Sequence, residues 1–301
     1  MIQIIEIKLI VYWLIDMDIL SKKFNKNIYK VIVAGNAYII NYCLLDNQKL
    51  FNNLNKIHTY CSQKGLCPEI IVNSKKFFIY KYLASLEVEK NFRRYARSIG
   101  ELHKTLSEAE IDFSSLYQFK NQSYELSIRQ LELMNTKNSR DMTEILKSLK
   151  KNNCLSVKMN EEDIRLIHGD LHIGNIIFSE SNRTFFIDFE QLSYFYASYE
   201  VLRFFFHTIS LEDDMSNILK NLQSFICEYN KIVGLEISEW SASLFFYLEI
   251  LTKDTSMAVS NPKYYGFRVN LAKFIFRNFD DLFLTIVNAI QIREENNEVR
   301  I

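Results

Sequence analysis

The most informative part of this chain is HGDLHIGN at residues 168–175, followed by IDFE at residues 187–190. It contains three polar groups: the carboxyl of Asp170, the amide of Asn175 and the carboxyl of Asp188. Each of them stands beside strongly apolar residues. Apolar runs of this length are typical of short buried strands, and polar residues at strand ends are typical of a functional site.

An acid, an amide and a second acid on rigid strand ends suit phosphoryl transfer. In that reaction one group orients the attacking hydroxyl and accepts its proton, while the other two hold Mg²⁺ against nucleotide phosphates. The interval from Asp170 to Asn175 equals the Asp-to-Asn interval of a kinase catalytic loop. The alternative is a plain hairpin with polar turn residues, and the combination of motifs favours the kinase interpretation.

The motif resembles that of the aminoglycoside and choline kinase superfamily. Its pattern is His-Gly-Asp, four residues, Asn, and then Ile-Asp-Phe-Glu or a close variant. Residues 199–204 (YEVLRF) resemble the helix that follows in this superfamily, with Glu200 where Asp is usual. Residues 96–103 (ARSIGELH) resemble the helix that ends in Leu-His. We expect His103 to be structural, because it stands beside an apolar stripe.

The resemblance implies an α+β, bilobal protein-kinase-like fold. A small β-rich N-lobe with one main helix would clamp nucleotide and occupy residues 1–83. A larger, mostly helical C-lobe at residues 84–301 would hold the catalytic loop, the metal site and the acceptor-binding helices. A length of 301 residues agrees with two lobes, and an apolar fraction of 48% suffices for a sizeable core.

Local patterns place the elements of the predicted N-lobe. Two β-rich runs flank the turn Ala34-Gly35-Asn36, which indicates a hairpin. The order that follows is a helix, a second hairpin and a hinge. The predicted elements are a core run at 9–15, a polar loop over the phosphates at 21–27, strands at 28–33 and 37–43, a helix at 48–63, strands at 69–72 and 77–83, and the hinge at 83–86.

Helical periodicity dominates the rest of the chain. Residues 92–106 carry an apolar stripe at 3/4 spacing. The polar segment 121–153 predicts one or two exposed helices. Further helices are predicted at 240–251 and 268–292.

The resemblance also implies a function. It predicts an ATP- or GTP-dependent phosphotransferase that phosphorylates a hydroxyl of a small molecule of the amino sugar, amino alcohol or sugar type. Asp170 would be the base, and Asn175 and Asp188 would coordinate Mg²⁺. His168 would brace the loop. For His172 a phosphate or substrate contact and a loop-filling role are equally open, and it is placed among the predicted nucleotide-binding residues.

One part of the superfamily pattern is altered. The second strand of the first hairpin usually carries a Lys or Arg that pairs with the α- and β-phosphates, and Asn41 stands there. The helix glutamate that normally pairs with it is also missing, since residues 47–65 contain no acid. An amide donates hydrogen bonds but carries no charge. Lys30 would substitute if its side chain faces the cleft, and Lys49 and Lys56 are further candidates.

Other functions therefore stay open. A catalytically weak kinase-like protein that binds nucleotide or a partner would tolerate the altered clamp. Transfer of another part of the nucleotide, such as AMP, is a third option without a positive sign. Residues 212–214 (EDD) would suit a cationic acceptor, with a solvated loop as the alternative. The aromatic residues of the C-terminal half would form a box for a quaternary ammonium group, or a core.

Composition excludes several other classes of partner. The net charge of zero gives no field that favours nucleic acid or an anionic membrane. The apolar run at 9–15 is too short to span a bilayer. The five cysteines are scattered, with no Cys-x-x-Cys pair, which makes a zinc site a poor prediction and indicates a reducing cytoplasm. We therefore expect a cytoplasmic protein whose partners are a nucleotide and a small acceptor.

Overall fold

The computed structural model describes residues 23–25, 28–33, 35–42, 48–74, 77–84, 90–109, 123–151, 161–179 and 183–298. The chain divides into two compact units. Unit 1 consists of Met1–Glu89, Thr105–Tyr117 and His168–Leu192, and unit 2 consists of Lys90–Lys104, Gln118–Ile167 and Ser193–Ile301. No helix among the described residues combines the length and apolarity that crossing a membrane requires. The predicted core run at 9–15 and residues 85–86 of the predicted hinge lie outside the described residues.

Unit 1 contains a five-stranded antiparallel sheet. Its strands are β1 (Lys23–Asn25), β2 (Ile28–Val33), β3 (Asn36–Tyr42), β4 (Ile70–Asn73) and β5 (Phe77–Lys81). They lie in the order β1-β2-β3-β5-β4. The helix α1 (Gln48–Gln63) follows β3, as the sequence predicts. The predicted order of hairpin, helix and hairpin is therefore confirmed.

Strand β1 corrects one prediction. Residues 21–27 were expected to form a polar loop, and Lys23–Asn25 instead pairs with Tyr29 and Ile28 of β2. Polar composition does not prevent pairing at the edge of a sheet, because backbone hydrogen bonds and not side chains hold the strand there.

The sheet buries apolar side chains on both of its faces. Alternate residues of a strand point to opposite faces, so β3 contributes Ile40 to one side and Ile39 to the other. The first face belongs to the cluster of Val31, Tyr38, Ile40, Val72, Phe77 and Ile79. The second face carries Ile39, Phe78 and Tyr80, with Ile28, Ile70 and Tyr82 packed beside them. A sheet with two buried faces can hold a polar site on one of them.

The motif at 168–190 lies in the third segment of unit 1. Strands β7 (Ile176–Phe178) and β8 (Thr184–Phe186) pair in antiparallel register. The backbone N–H of Phe186 donates to the carbonyl of Leu66, 2.7 Å away, in the segment after α1. This bond attaches the motif hairpin to the α1 region within the same unit.

Unit 2 is mainly helical. Its two-stranded sheet pairs β6 (Ile164–Ile167) with β9 (Ser193–Tyr196). The helices of the chain after α1 are α2 (Phe92–Ser107), α3 (Tyr124–Met134), α4 (Lys137–Lys151), α5 (Ala197–Thr208), α6 (Met215–Val233), α7 (Ile237–Lys253), α8 (Met257–Ser260), α9 (Pro262–Arg277) and α10 (Phe279–Glu298).

Two helical predictions need correction. The segment 268–292 is not one helix, because the chain breaks at Asn278, whose side-chain amide and backbone N–H both donate to the carbonyl of Phe274. A side chain that competes for backbone carbonyls favours a helix end. The segment 121–153 forms two helices, one of the two predicted outcomes, but α4 is not exposed on all sides as predicted. Its face with Met142, Leu146 and Leu149 is buried.

A buried polar network supports the structural role predicted for His103. Its Nε2 lies 2.8 Å from a carboxylate oxygen of Glu200, and its Nδ1 lies 2.7 Å from the hydroxyl of Tyr229. All three side chains are buried in unit 2. Buried polar groups of this kind need partners, and here His103 is the partner of both Glu200 and Tyr229.

Candidate active site

All six predicted site residues belong to unit 1, and the loop that carries most of them is organised by His168. The fully buried His168 ring donates from Nε2 to the carbonyl of Ile187, 2.9 Å away. Its Nδ1 accepts a longer bond of 3.4 Å from the backbone N–H of Asp170. The two bonds assign the proton to Nε2. His168 therefore joins the Asp170 loop to the strand that leads to Asp188, which agrees with its predicted bracing role.

Gly169 is required by the close approach of the chain to itself. Its φ is +83°, in the region that favours glycine. A Cβ atom placed there would lie 1.8 Å from the carbonyl oxygen of Gln191. Only a residue without a side chain allows the two segments of the motif to meet.

Asn175 lies between the two predicted acidic residues. Its Nδ2 donates to the carbonyl of Asp170 over 2.8 Å, and its own carbonyl accepts from the N–H of Ile187 over 3.0 Å. The residue is buried. With the amide nitrogen held by Asp170, the amide oxygen Oδ1 remains available as a ligand atom.

Asp188 has an unusual backbone conformation. Its φ of 65° and ψ of 63° are left-handed, which costs a non-glycine residue about 1 kcal/mol. Burial and the charge of Asp188 both raise the pKa of Glu190, so the two carboxyl groups are close to each other. Neither of them forms an ion pair with any residue in the described ranges. Strain and uncompensated negative charge at one point are features of a functional site.

The donor atoms of this loop fit Mg²⁺. The amide oxygen of Asn175 and the carboxylates of Asp188 and Glu190 are oxygen ligands, which Mg²⁺ prefers. Within the described part of the chain, no group of three or more His, Cys, Asp or Glu residues is arranged to hold a metal by itself. A magnesium ion that shares one or two protein ligands with nucleotide phosphates does not require such a group.

His172 lies beside Asp170 and also shapes the loop. Its Nδ1 accepts a 3.0 Å hydrogen bond from the N–H of Gly174, which caps the short turn Ile173–Asn175. Its Nε2 lies 3.8 Å from a carboxylate oxygen of Asp170. The side chain is 44% exposed, so one nitrogen holds the loop and the other faces the Asp170 carboxylate and solvent.

Asn41 and Lys30 share the second face of the N-terminal sheet. Asn41 is buried and pairs with Phe78 of β5, and Lys30 pairs with Ile39. The ammonium of Lys30 lies 3.5 Å from the centre of the Tyr82 ring. Lys56 is exposed on α1, whereas His58 two residues later is buried. The side chain of Lys49 lies outside the described residues.

His58 and Tyr80 lie beside the predicted site, a proximity that the sequence interpretation missed. The His58 ring lies 5.1 Å from the ring of Phe78, 5.6 Å from Tyr80 and 6.1 Å from Phe189. The Phe189 ring lies 4.6 Å from His168. Through edge-to-face and tilted contacts these rings form a continuous series, called the ring stack below, from β5 through α1 to the catalytic loop.

The ring stack contains polar atoms in a buried environment. Burial lowers the pKa of His58 to about 4, although His58 donates a hydrogen bond to the carbonyl of Pro68. Its Nε2 has no partner among the described residues. Burial, followed by the charges of Asp188 and other nearby groups, raises the pKa of Tyr80. The sequence signal for His58 was its place on the buried stripe of α1, where the pattern otherwise carries Leu54, Ile57 and Cys61.

The order of these elements is shared with a known family. The sequence model of the phosphotransferase enzyme family (APH) matches residues 57–221, which is more than half of the chain. The chain belongs to the phosphotransferase enzyme family. The match contains α1 from Ile57 onward, the catalytic loop and the Asp188 segment. A search of curated proteins found no match to this phosphotransferase.

Solved structures confirm the protein-kinase-like fold of the phosphotransferase. A choline kinase from Cryptosporidium parvum Iowa II has a TM-score of 0.59 at 14% identity, over 89% of this chain and 91% of that one. The amicoumacin kinase hAmiN in complex with AMP-PNP and Ca²⁺ has a TM-score of 0.56 at 14% identity, over 86% and 88%. An aminoglycoside phosphotransferase from Alicyclobacillus acidocaldarius has a TM-score of 0.56 at 12% identity, over 91% and 92%. At these identities the likeness shows the fold.

Proposed function

We propose that this phosphotransferase is a small-molecule kinase that moves the γ-phosphoryl group of ATP or GTP to a hydroxyl. The observation that carries the proposal is the hydrogen-bonded loop in which Asn175 joins Asp170 to the segment of Asp188. In this loop the carboxylate of Asp170 would meet the hydroxyl, and the amide oxygen of Asn175 and the carboxylate of Asp188 would bind the cation. The acceptor would be an amino sugar, an amino alcohol or a sugar.

Each residue of the loop has a defined task in this proposal. Asp170 orients the acceptor hydroxyl and takes its proton at a carboxylate oxygen. Asn175 and Asp188 hold Mg²⁺, which would neutralise charge on the transferred phosphoryl group. His172, beside Asp170, would contact the phosphates or the acceptor. His168 and Gly169 keep the two segments of the loop in register.

The nucleotide would contact the second face of the N-terminal sheet. Lys30 and Asn41 lie on that face and would supply a cation and an amide for the phosphates. The amicoumacin kinase of similar fold is in complex with AMP-PNP and Ca²⁺, which supports a nucleotide donor and a divalent cation. The assignment of nucleotide clamping to residues 1–83 and of acceptor binding to residues 84–301 is part of this proposal.

The proposal is tested by replacing Asp170. Wild-type protein should be stabilised against heat by ATP or GTP only when Mg²⁺ is present, and should consume nucleotide with one of a panel of amino alcohols, sugars and aminoglycosides. Asp170→Ala should lower kcat by about a hundredfold or more, because the base is lost, and should leave Mg²⁺-nucleotide binding intact. The measurement is a coupled nucleotide-consumption assay beside a thermal-shift titration.

Two further variants separate metal binding from catalysis. Asp188→Asn should remove the Mg²⁺-dependent gain in nucleotide affinity. Glu144→Ala, which replaces an exposed acid of unit 2, should change neither the nucleotide affinity nor kcat. A wild-type protein that neither binds Mg²⁺-nucleotide nor consumes it with any acceptor would refute the kinase proposal. Unchanged binding in Asp188→Asn would refute the metal assignment alone.

A second candidate function follows from the buried amide of Asn41. A kinase-like protein without the usual strand cation would bind nucleotide or a partner and turn over slowly or not at all. Asn41→Lys distinguishes the two candidates. In a working kinase that uses Lys30, the added cation should change nucleotide affinity modestly, whereas in a catalytically weak binding protein it should be needed before turnover appears.

A further inference from the structure

An open cavity of unit 1 lies between α1 and the end of β4, and none of the six predicted site residues lines it. Its volume is about 690 Å³, within the range of roughly 300–1,000 Å³ that is usual for small-molecule sites. We call it the amide cleft, because carboxamide side chains make up half of the residues that line it. The lining residues from α1 are Asn52, Asn55, Lys56, Thr59, Tyr60 and Gln63.

The α1 side of the amide cleft is a polar stripe. Asn52, Lys56 and Gln63 follow one another at intervals of four and seven residues, which bring them to one face of a helix. All three are exposed, whereas Asn55 is only 8% exposed although it also lines the cavity. The exposed side chains therefore form the rim of the cleft, and Asn55 lies at its floor.

The second wall consists of Asn73, the last residue of β4, and Ser74. The hydroxyl of Ser74 donates to the carbonyl of Phe77, 3.0 Å away, and accepts from the N–H of Phe77 over 3.1 Å. The backbone N–H of Ser74 donates to the same carbonyl over 2.9 Å. These bonds hold the connection from β4 to β5 in one conformation, so this wall is preorganised before a ligand arrives.

The charges at the rim favour one negative group on the ligand. The carboxylate of Glu108 accepts from the hydroxyl of Tyr60 over 3.2 Å, and the ammonium of Lys64 lies 3.7 Å from the same oxygen. This acid next to the cleft therefore has its own cation. Lys56 has no ion-pair partner among the residues that the structure describes. Its ammonium is the one charge that the described lining residues offer to a ligand.

The chemistry of the lining selects the rest of the ligand. A carboxamide offers two N–H donors and a carbonyl acceptor, and a hydroxyl group both donates and accepts. Carboxamides therefore suit hydroxyl groups better than they suit an ion that only accepts, such as sulfate, because that ion leaves the amide oxygens unused. No acidic side chain is among the described residues that line the cleft, which works against a cationic ligand.

We propose that the amide cleft binds a sugar-type polyol that carries one acidic group. The hydroxyl groups of the ligand exchange hydrogen bonds with the carboxamides of Asn55, Gln63 and Asn73, and the acidic group meets the ammonium of Lys56. The inference does not depend on the proposed kinase activity, because the cleft shares no lining residue with the predicted site.

The test uses the full-length protein and sodium D-glucuronate as the probe, with D-glucose and sodium acetate as partial probes at equal ionic strength. Calorimetric titration gives each Kd. Glucuronate should also raise the melting temperature to a plateau, whereas the general stabilisation by excluded sugars grows without saturation. Glucose and acetate each lack one half of the recognised chemistry, so each should bind at least fivefold more weakly than glucuronate.

Two exposed residues of the rim separate the contributions to binding without disturbing the core. Lys56→Gln should raise the glucuronate Kd about tenfold, which corresponds to about 1.4 kcal/mol, and should leave the glucose Kd unchanged. Gln63→Ala should raise both Kd values about fivefold. The matched controls are Lys137→Gln and Asn138→Ala, which replace exposed residues at the start of α4 in unit 2 and should bind both probes as the wild type does.

Several results would overturn the proposal. They are the absence of a saturable glucuronate response, an unchanged glucuronate Kd in both rim variants, and equal losses in the control variants. Displacement of glucuronate by saturating Mg²⁺-nucleotide would place the probe in the proposed active site and overturn the assignment to the cleft. Acetate that binds as tightly as glucuronate would overturn the role of the hydroxyl groups, and glucose that does so would overturn the acidic group.

Discussion

Two residues with positive φ, Gly169 and Asp188, define the site at the residue scale. The motif predicts which residues stand there, but not that the chain must turn left-handed at both. At Gly169 the conformation is free of cost, and the absent Cβ permits the approach of Gln191. At Asp188 the strained backbone belongs to a proposed metal ligand. The hydrogen bonds that the adjacent Ile187 forms with His168 and Asn175 hold it in this conformation.

The first prediction concerns Gly169→Ala. A Cβ 1.8 Å from the Gln191 carbonyl oxygen forces the two segments of the motif apart. We expect the free energy of unfolding to fall by about 3 kcal/mol or more, and nucleotide consumption to be lost. Denaturant unfolding and the coupled assay measure the two effects.

Gly65→Ala is the matched control for that variant. Gly65 has a similar φ of +75°, but a Cβ at this position would have no neighbour within 4 Å. The free energy of unfolding should therefore fall only by the cost of a left-handed alanine, about 1 kcal/mol, and the variant should keep its activity. Equal losses in the two variants would mean that strain, and not the contact with Gln191, explains the role of Gly169.

At the element scale, the ring stack connects α1 and β5 to the catalytic loop within unit 1. The sequence predicts the bounds of α1 correctly and the stripe of Leu54, Ile57 and Cys61 that buries it. It does not reveal that His58 on the same helix touches Phe189, the neighbour of Asp188. Contacts between elements distant in the chain depend on packing, which periodicity does not encode.

The second prediction therefore concerns His58. Replacement by Ala removes the ring between Phe78 and Phe189, so Phe189 loses support and Asp188 loses its orientation. We expect a fall in kcat of about tenfold to a hundredfold, the size that a small misplacement of catalytic groups produces. Steady-state kinetics at saturating Mg²⁺ measure the change.

A ring-preserving variant separates orientation from chemistry. His58→Phe should recover most of the activity, because it keeps an aromatic contact with Phe189. Thr59→Ala, at the next position of α1, serves as control and should behave as wild type. If His58→Phe is as inactive as His58→Ala, the imidazole itself is needed, and the role of the ring stack as a support is wrong.

At the scale of the whole molecule, His58 also links stability to pH. Its pKa is about 4 in the folded protein because burial disfavours the charged ring, against an ordinary value of about 6.5 in the unfolded chain. The unfolded chain thus binds the proton more readily. The contribution of His58 to stability is fully present above pH 6.5 and is lost as the pH falls from there to about 4.

The third prediction follows from this linkage. Between pH 7 and pH 4 the wild type should lose about 3 kcal/mol of unfolding free energy more than His58→Phe, which has no proton to accept. Urea unfolding across this pH range measures both proteins. Carboxyl groups titrate in both proteins, so their effect cancels in the difference between the two unfolding free energies. Parallel stability profiles would show that His58 is not a buried neutral ring.

The sequence predicts the larger organisation well and its local breaks less well. The α+β protein-kinase-like fold, the hairpin before α1 and the helix after the motif are confirmed. The strand at Lys23–Asn25 and the helix end at Asn278 were missed. Both depend on a few backbone hydrogen bonds whose partners the pattern of apolar residues does not specify.

By itself, the sequence determined the family, the fold class and the order of Asp170, Asn175 and Asp188, because that motif has fixed spacing between apolar strands. The tertiary structure decided which buried polar groups lack hydrogen-bond partners among the described residues, the Nε2 of His58 among them. Pairing of buried polar groups is a property of residues far apart in the chain, and only the packed molecule shows which groups are left for a ligand.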